Sequence, residues 1–322
     1  MQSRRGARRI GARRHRFSYL GSGRKPRVPV TLTIHRSMPI AAIISKPNKP
    51  ELKGVISGVI EWLRKRDYEA VLDPVSAGYC SGARSASREQ LHQLRPEFAI
   101  VLGGDGTLLA AARALAHSQV PLLAVNLGSL GFLAEVSLSE LYTHLESITK
   151  QCCIFDERSM IRCRLIRGGA VVQEQEALND VVVKATAARL ADFELSINGQ
   201  RVTDYKADAL IIATPTGSTA YSLAAGGPIL APSVKALVVT PVSPHALTHR
   251  PLVVEETSKI VVNVEVGKEE GFLTADGQVS IPIESDDRVE CELGRCRVKL
   301  LREKDGQKFF EVLRTKLHWG ER

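Results

Sequence analysis

A chain of 322 residues with 44% hydrophobic content is long for one hydrophobic core, so two domains of ordinary size are expected. The formal net charge of +9 would point to a nucleic-acid or membrane partner only if the positive residues lay on the folded body. They do not: residues 1–37 hold ten Arg and one Lys with no Asp or Glu, which leaves 33 basic against 35 acidic residues in the rest.

Residues 1–37 are basic, acid-free and poor in large apolar side chains, so they are expected to stay disordered and to join neither domain. Three readings of this tail are open: a targeting peptide, a nucleic-acid-binding arm, and translated sequence upstream of a start at Met38. The third is favoured, because Met38 directly precedes Pro39 and the apolar run Ile40 to Ile44. No run approaches the roughly 18 apolar residues of a membrane span, and no apolar segment of signal-peptide type follows the basic start. The six Cys form no Cys-x-x-Cys pair, which suits a reducing compartment, and a cytoplasmic location is expected.

From Met38 to about residue 150, short apolar runs alternate with helical periods, the pattern of a parallel sheet flanked by helices. The expected strands are Ile40 to Ile44, Ala70 to Leu72, Phe98 to Leu102 and Leu122 to Val125. Leu52, Val55, Ile56, Val59 and Leu63 fall at helical spacing and leave Lys53, Glu61 and Arg64 for water.

Gly103-Gly104-Asp105-Gly106 lies where the strand Phe98 to Leu102 hands over to a helix that starts near Thr107. Glycine lets the backbone approach a phosphate without a Cβ clash, and a helix start offers free N–H groups and a positive dipole end. Gly103, Gly104, Gly106 and Thr107 are therefore the expected phosphate site. A carboxylate among such amides repels the ligand unless it orients an attacking hydroxyl, accepts its proton or holds Mg²⁺. Asp105 is assigned that catalytic role, with a helix N-cap as its structural alternative. A Rossmann loop fails because Leu109 stands where the third glycine is needed, and a Walker A loop fails because no Gly-Lys-Ser or Gly-Lys-Thr follows.

After residue 150 the apolar period becomes two. Ile161, Cys163 and Leu165 lead to Gly168-Gly169, and Phe193, Leu195 and Ile197 lead to Asn198-Gly199. Between them lies Asn179-Asp180. Asp208 to Ala213 reads as a strand that opens into the hydroxyl-rich turn Thr214-Pro215-Thr216-Gly217-Ser218-Thr219-Ala220-Tyr221 and ends at Gly226-Gly227-Pro228. Such hydroxyls and amides can hold ribose or phosphate oxygens, Tyr221 can face a flat ring, and a capped helix is the plainer alternative. Ile260, Val262, Val264 and Val266 alternate, Asp276-Gly277 is a turn, and Val289 to Leu293 with Cys296 to Leu300 reads as one more hairpin across Gly294. Phe309 to Trp319 is too short for a domain and is expected to return to the first one.

The glycine loop alone is shared by families resembling diacylglycerol kinases, sphingosine kinases and phosphofructokinases, all of which transfer phosphoryl groups to a hydroxyl. The whole set is more specific. Thr214 to Ile229, Asn179-Asp180, Asn126-Leu127-Gly128 with Leu130-Gly131-Phe132-Leu133, Pro244-His245 with Arg250-Pro251, and Thr315-Lys316-Leu317 with Trp319 all stand in the order of one family. From about Met38 to the C-terminus the chain resembles the NAD kinase family. Asp180 departs from the Glu common there, and Ala209 from the Gly common after Asp208.

The resemblance implies an α/β N-terminal domain with an open parallel sheet at 38–150, completed by 303–322, and a mostly β domain at 151–302. It implies transfer of the γ-phosphoryl of ATP to the adenosine ribose 2′-hydroxyl of NAD. Asn179 and Asp180 would hold adenosine; Asp208, Thr219, Ala220 and Tyr221 would line the dinucleotide pocket; Lys206 would neutralise a phosphate; and His245 is a weaker candidate. Mg²⁺ or another divalent ion would arrive with ATP, so no residue is assigned to metal. Inorganic polyphosphate stays open as a second donor. A dimer or tetramer is implied, a membrane partner is not, and a nucleic-acid partner is not expected. A lipid kinase of the diacylglycerol type should lack the Thr214 to Pro228 segment, and a nucleotide sensor that lost catalysis should not need Asp105, Asn179 and Asp208 together.

Overall fold

The computed structural model describes residues 38–128, 131–185, 191–265, 271–302 and 309–320; the basic tail, Leu130, Val266, 303–308 and 321–322 lie outside them. Ile40–Ser45 forms β1, buried in all but its first residue. Leu52–Arg64 forms α1 and turns Leu52, Ile56, Val59, Ile60 and Leu63 inward, the stripe that 3.6-residue spacing dictates. There follow β2 (Glu69–Leu72), α2 (Pro74–Ala77), β3 (Arg84–Ser85), α3 (Arg88–Leu94), β4 (Phe98–Leu102), α4 (Asp105–Leu115), β5 (Leu122–Asn126), β6 (Val136–Ser137), α5 (Leu141–Thr149) and β7 (Ile154–Arg158).

β3, β2, β1, β4 and β5 lie side by side in that order and run parallel. Their continuous apolar sequences suit a sheet covered on both faces. One face packs on α1 and α5 through Leu52, Ile56, Leu145 and Ile148, the other on α3 and α4 through Leu91, Leu108 and Leu115. The strand order reverses between β1 and β4, and an open sheet of this kind offers a crevice at the carboxyl ends of its strands there. The carboxyl end of β4 is the start of the Gly103 to Gly106 turn.

The second half supplies β8 (Ile161–Arg167), β9 (Ala170–Ala177), β10 (Asp180–Ala185), β11 (Ala191–Ile197), β12 (Gln200–Ala207), β13 (Ala209–Ala213), the short helix α6 (Tyr221–Ala224), β14 (Ala236–Val242), β15 (Leu252–Glu255), β16 (Ile260–Glu265), β17 (Gly271–Ala275), β18 (Val279–Ile283) and β19 (Arg288–Leu293). They form two antiparallel sheets, β15-β14-β13-β10-β17-β18 and β12-β11-β16-β19-β8-β9. A shared core that includes Phe193, Tyr205, Leu210, Leu237 and Val289 lies between them. Three hairpins turn at Gly168-Gly169, Asn198-Gly199 and Asp276-Gly277, each with both residues at φ between 51° and 82°. Two-residue turns of this hand match the twist of the flanking strands, and Gly, Asn and Asp tolerate that backbone best.

The two-domain fold class read from the sequence is the fold observed, but one expected pairing is not. Val298–Arg302 (β20) does not fold back on β19. It pairs parallel with β5 and antiparallel with β7, so both β7 and β20 extend the first sheet although the sequence reading placed 151–302 in the β domain. The physical reason is that alternation shows which face of a strand is wet and says nothing about its neighbour. Gly294 donates instead to the carbonyl of Met160, at 2.7 Å. The last helix, α7 (Phe309–Leu317), buries Val312 and Leu313, and Phe309 and Phe310 border a cavity with Ile154, Phe155 and Arg302 at this edge. No helix among the described residues is long and apolar enough to cross a membrane.

Candidate active site

Gly104 is the N-cap of α4 and Asp105 its first residue, one position too far along to cap. The helix-cap alternative for Asp105 therefore fails. Its carboxylate reaches sideways to the segment after β5, where it accepts from the amides of Phe132 (3.0 Å), Leu133 (3.2 Å) and Ala134 (3.0 Å). Three donors on one carboxylate set its direction tightly. Gly131 makes that approach possible, because a Cβ there would run into the Asp105 carboxyl group. Gly103 is held the same way, with the Thr107 side chain where its Cβ would be. The Thr107 amide donates to the carbonyl of the N-cap Gly104 at 3.0 Å, and the amides ahead of it form the anion-attracting end of the helix.

Asn179 marks the entry to β10, and its backbone is gripped from both sides. On one side the Thr214 amide donates to the Asn179 carbonyl at 2.9 Å, and the Thr214 hydroxyl donates to the Leu178 carbonyl at 2.6 Å. On the other, Asp276 accepts from the amides of Leu178 (3.2 Å), Asn179 (2.7 Å) and Asp180 (3.4 Å). The side-chain Oδ1 of Asn179 is buried and has no donor. Such an orphan acceptor costs about 1–3 kcal/mol unless a ligand supplies the missing bond.

Asp180 is 5% exposed, and burial followed by the charge of Asp276 pushes its carboxyl up to about 7. Thr219 donates its hydroxyl back to the Thr216 carbonyl at 3.2 Å, Ala220 precedes α6, and Tyr221, 46% exposed, opens α6. The Ser218 hydroxyl donates to the Pro215 carbonyl within the segment, and the Ser222 hydroxyl bonds that of Thr240 on β14.

Lys206 and Asp208 lie elsewhere. β10 and β13 pair Asp180 with Ala213 and Lys184 with Ala209, so Asp208 sits five residues away along the strand from the Asp180 end. That is roughly 16 Å at the rise of an extended strand. Lys206 is exposed on β12, 3.8 Å from Asp192, and its carbonyl accepts from the His245 amide. Within one chain these residues do not join Asn179 and Asp180, contrary to the single pocket expected. The reading also missed Arg113, Asp276 and Gln278, which link α4 to the Asn179 strand end. Arg113 donates to Asp276 at 2.6 Å and to Gln278 at 2.5 Å, and Gln278 donates to the Gly106 carbonyl at 2.7 Å.

Comparison with known proteins sets this geometry in a family. Residues 41–152 match the model of the ATP-NAD kinase N-terminal domain, and residues 178–303 match that of the ATP-NAD kinase C-terminal domain. The chain belongs to the NAD kinase family. It is 54% identical to the NAD kinase of Koribacter versatilis over 286 residues, 88% of this chain and 100% of that one. It is 51% identical to the NAD kinase of Acidobacterium capsulatum over 282 residues, 87% of this chain and 99% of that one. In fold it is similar to yeast NADH kinase complexed with NADH (TM-score 0.80, 24% identity, 89% of this chain and 90% of that one) and to an NAD kinase from Archaeoglobus fulgidus in complex with ATP (TM-score 0.69, 24% identity, 87% and 98%).

For an NAD kinase with Asp at position 180, the raised carboxyl has a measurable consequence. The folded state holds this proton more tightly than the unfolded chain, whose Asp titrates near 4. Asp180 therefore costs nothing below about pH 4 and destabilises increasingly as pH rises toward 7. Asp180→Asn should match the parent in stability below about pH 4, exceed it by about 1 kcal/mol at pH 5, and exceed it at pH 8 by up to about 4 kcal/mol, at 1.36 kcal/mol for each pH unit. Thermal melts of both chains across that range check the sign: a gap that stays constant or narrows with rising pH contradicts it.

Proposed function

We infer that this chain transfers the γ-phosphoryl of ATP to the 2′-hydroxyl of the adenosine ribose of NAD, giving NADP. Family membership at 54% identity supports the reaction. The structural observation that carries the acceptor half is the buried Asn179 Oδ1 without a donor, which suits the exocyclic amino group of adenine. Asp180, next in the chain, would take a ribose hydroxyl, and the exposed face of Tyr221 a flat ring.

The donor phosphates lie over Gly103, Gly104, Gly106 and Thr107 at the start of α4, where amides and the helix dipole favour anions. Asp105 then orients the 2′-hydroxyl for in-line attack and takes its proton late, because a loose transition state leaves that proton in place until the new bond is well formed. Its three amide bonds make it a fixed acceptor, and positioning supplies most of its effect. No cluster of three or more His, Cys, Asp or Glu suited to a metal occurs among the described residues. On this reading Mg²⁺ enters as part of the MgATP substrate. ATP is the donor of this reading, and inorganic polyphosphate is a second donor that the same amides could bind.

Lys206 and Asp208 belong to the pocket by resemblance yet stand at the far end of β13. We propose that they serve the site of a second copy in a homo-oligomer, and that the protein works in the cytoplasm. The acceptor reading is tested by calorimetry with NAD alone. Asn179→Ala should weaken NAD binding about tenfold or more, the worth of a buried hydrogen bond with its desolvation, and unchanged binding would remove Asn179 from the site.

A further inference from the structure

Gly106 and Asn179 belong to the two halves of the site, one to the donor loop and one to the acceptor strand, and Asp276 and Gln278 of the β17–β18 turn reach both. The β17–β18 turn places Asp276 and Gly277 at φ 51° and 64°, which aims Asp276 inward while Gln278 stays at the surface. The Asp276 side chain is wholly buried. Its carboxylate gathers the amides of Leu178, Asn179 and Asp180 together with the Arg113 guanidinium, and its own amide donates to the Asp180 carbonyl at 2.9 Å. Gln278, two residues on, takes the other arm of Arg113 and gives its own N–H to the Gly106 carbonyl.

The Gly106 bond is not one that α4 needs. A carbonyl in the first turn of a helix already accepts from the amide four residues on. Gln278 adds a second donor from another domain, and being exposed it contributes little to stability. Arg113 stands two turns into the same helix, with its side chain 15% exposed, and its planar fork fixes two acceptors at once. These bonds therefore set where α4 stands relative to the entry of β10, which is the distance between phosphoryl donor and hydroxyl acceptor.

We propose that Arg113, Asp276 and Gln278 are positioning residues for phosphoryl transfer, a strut that holds the donor loop in line with the acceptor strand. The inference rests on the NAD kinase reading and adds to it three residues that touch neither substrate. A displacement near 1 Å at such a distance can cost up to about 10²-fold in rate without weakening either substrate's own contacts.

The test uses the full chain and three variants. Gln278→Ala should lower kcat about tenfold or more while the Kd of NAD alone, the Kd of ADP alone and the thermal midpoint stay near those of the parent. Gln278→Glu keeps an acceptor for Arg113 and has no N–H for Gly106, so it should be as slow as Gln278→Ala. Arg113→Lys, which retains a cation but not the fork, should fall between these and the parent. A kcat for Gln278→Ala within about twofold of the parent overturns the strut, and so does a loss that tracks weaker binding or a lower melting point. Absence of turnover in the folded parent overturns the NAD kinase reading itself, and the inference with it.

Discussion

Asp105→Asn should lower NADP formation by about 10²-fold or more, the low end for a positioned acid–base group. Two effects combine. Asparagine cannot take the proton of the attacking hydroxyl, and it offers one acceptor oxygen where the carboxylate offers two. In the native chain Oδ1 serves the amides of Leu133 and Ala134 and Oδ2 serves that of Phe132. An amide that keeps the first pair turns its NH₂ group toward the Phe132 N–H, which then loses its bond at a cost of about 1–3 kcal/mol. The segment after β5 should loosen, and turnover should fall. NAD binding, which draws on Asn179 and Asp180, should change by less than about threefold. Steady-state rates beside calorimetry separate the two effects. A variant that retains more than a tenth of the parental kcat contradicts the catalytic assignment, and one that loses NAD binding in proportion makes Asp105 a brace alone.

The second large effect comes from a single methyl group. A Cβ on Gly217 would strike the carbonyl oxygen, carbonyl carbon and Cα of Asn179. Asn179 cannot step aside, because Asp276 holds its amide at 2.7 Å while the Thr214 amide holds its carbonyl at 2.9 Å. Gly217→Ala must therefore push the Thr214 to Tyr221 segment outward or distort the entry to β10. Overpacking of this kind costs about 1–3 kcal/mol, and the displaced strand end should raise the KM for NAD about tenfold or more. Gly54→Ala is the matched control, since nothing lies within 4 Å of a Cβ there and alanine favours the helix. Equal NAD kinetics in the two variants would show that the contact between segment and strand end does not shape the pocket.

The sequence made some of this legible and hid the rest for identifiable reasons. β1, β2, β4 and β5 announced themselves because strands buried on both faces read as unbroken apolar runs. The hairpins at Gly168, Asn198 and Asp276 were marked by residues that tolerate a left-handed backbone. β20 was misplaced because Val298, Lys299 and Leu300 alternate whether they pair with β19 or with β5. Arg113 carried no local mark, and Asp276 read as an ordinary turn residue. Their burial comes from two elements more than 160 residues apart in the chain meeting at one point, as the Arg113–Asp276 bond records. Asp105 stood out in the sequence as a carboxylate among glycines, but its bonds to Phe132, Leu133 and Ala134 depend on β5 lying beside β4, which no local pattern encodes. The distance of Lys206 and Asp208 from Asn179 was hidden because the antiparallel pairing that sets Asp180 beside Ala213 is written in neither strand.

The most direct test is the identity of the product. The full chain, incubated with NAD, ATP and Mg²⁺, should accumulate a dinucleotide that an NADP-specific dehydrogenase reduces, in step with the ADP released. A folded chain that consumes no ATP with NAD present, or that places the phosphate on a hydroxyl the NADP-specific enzyme does not recognise, would contradict the account.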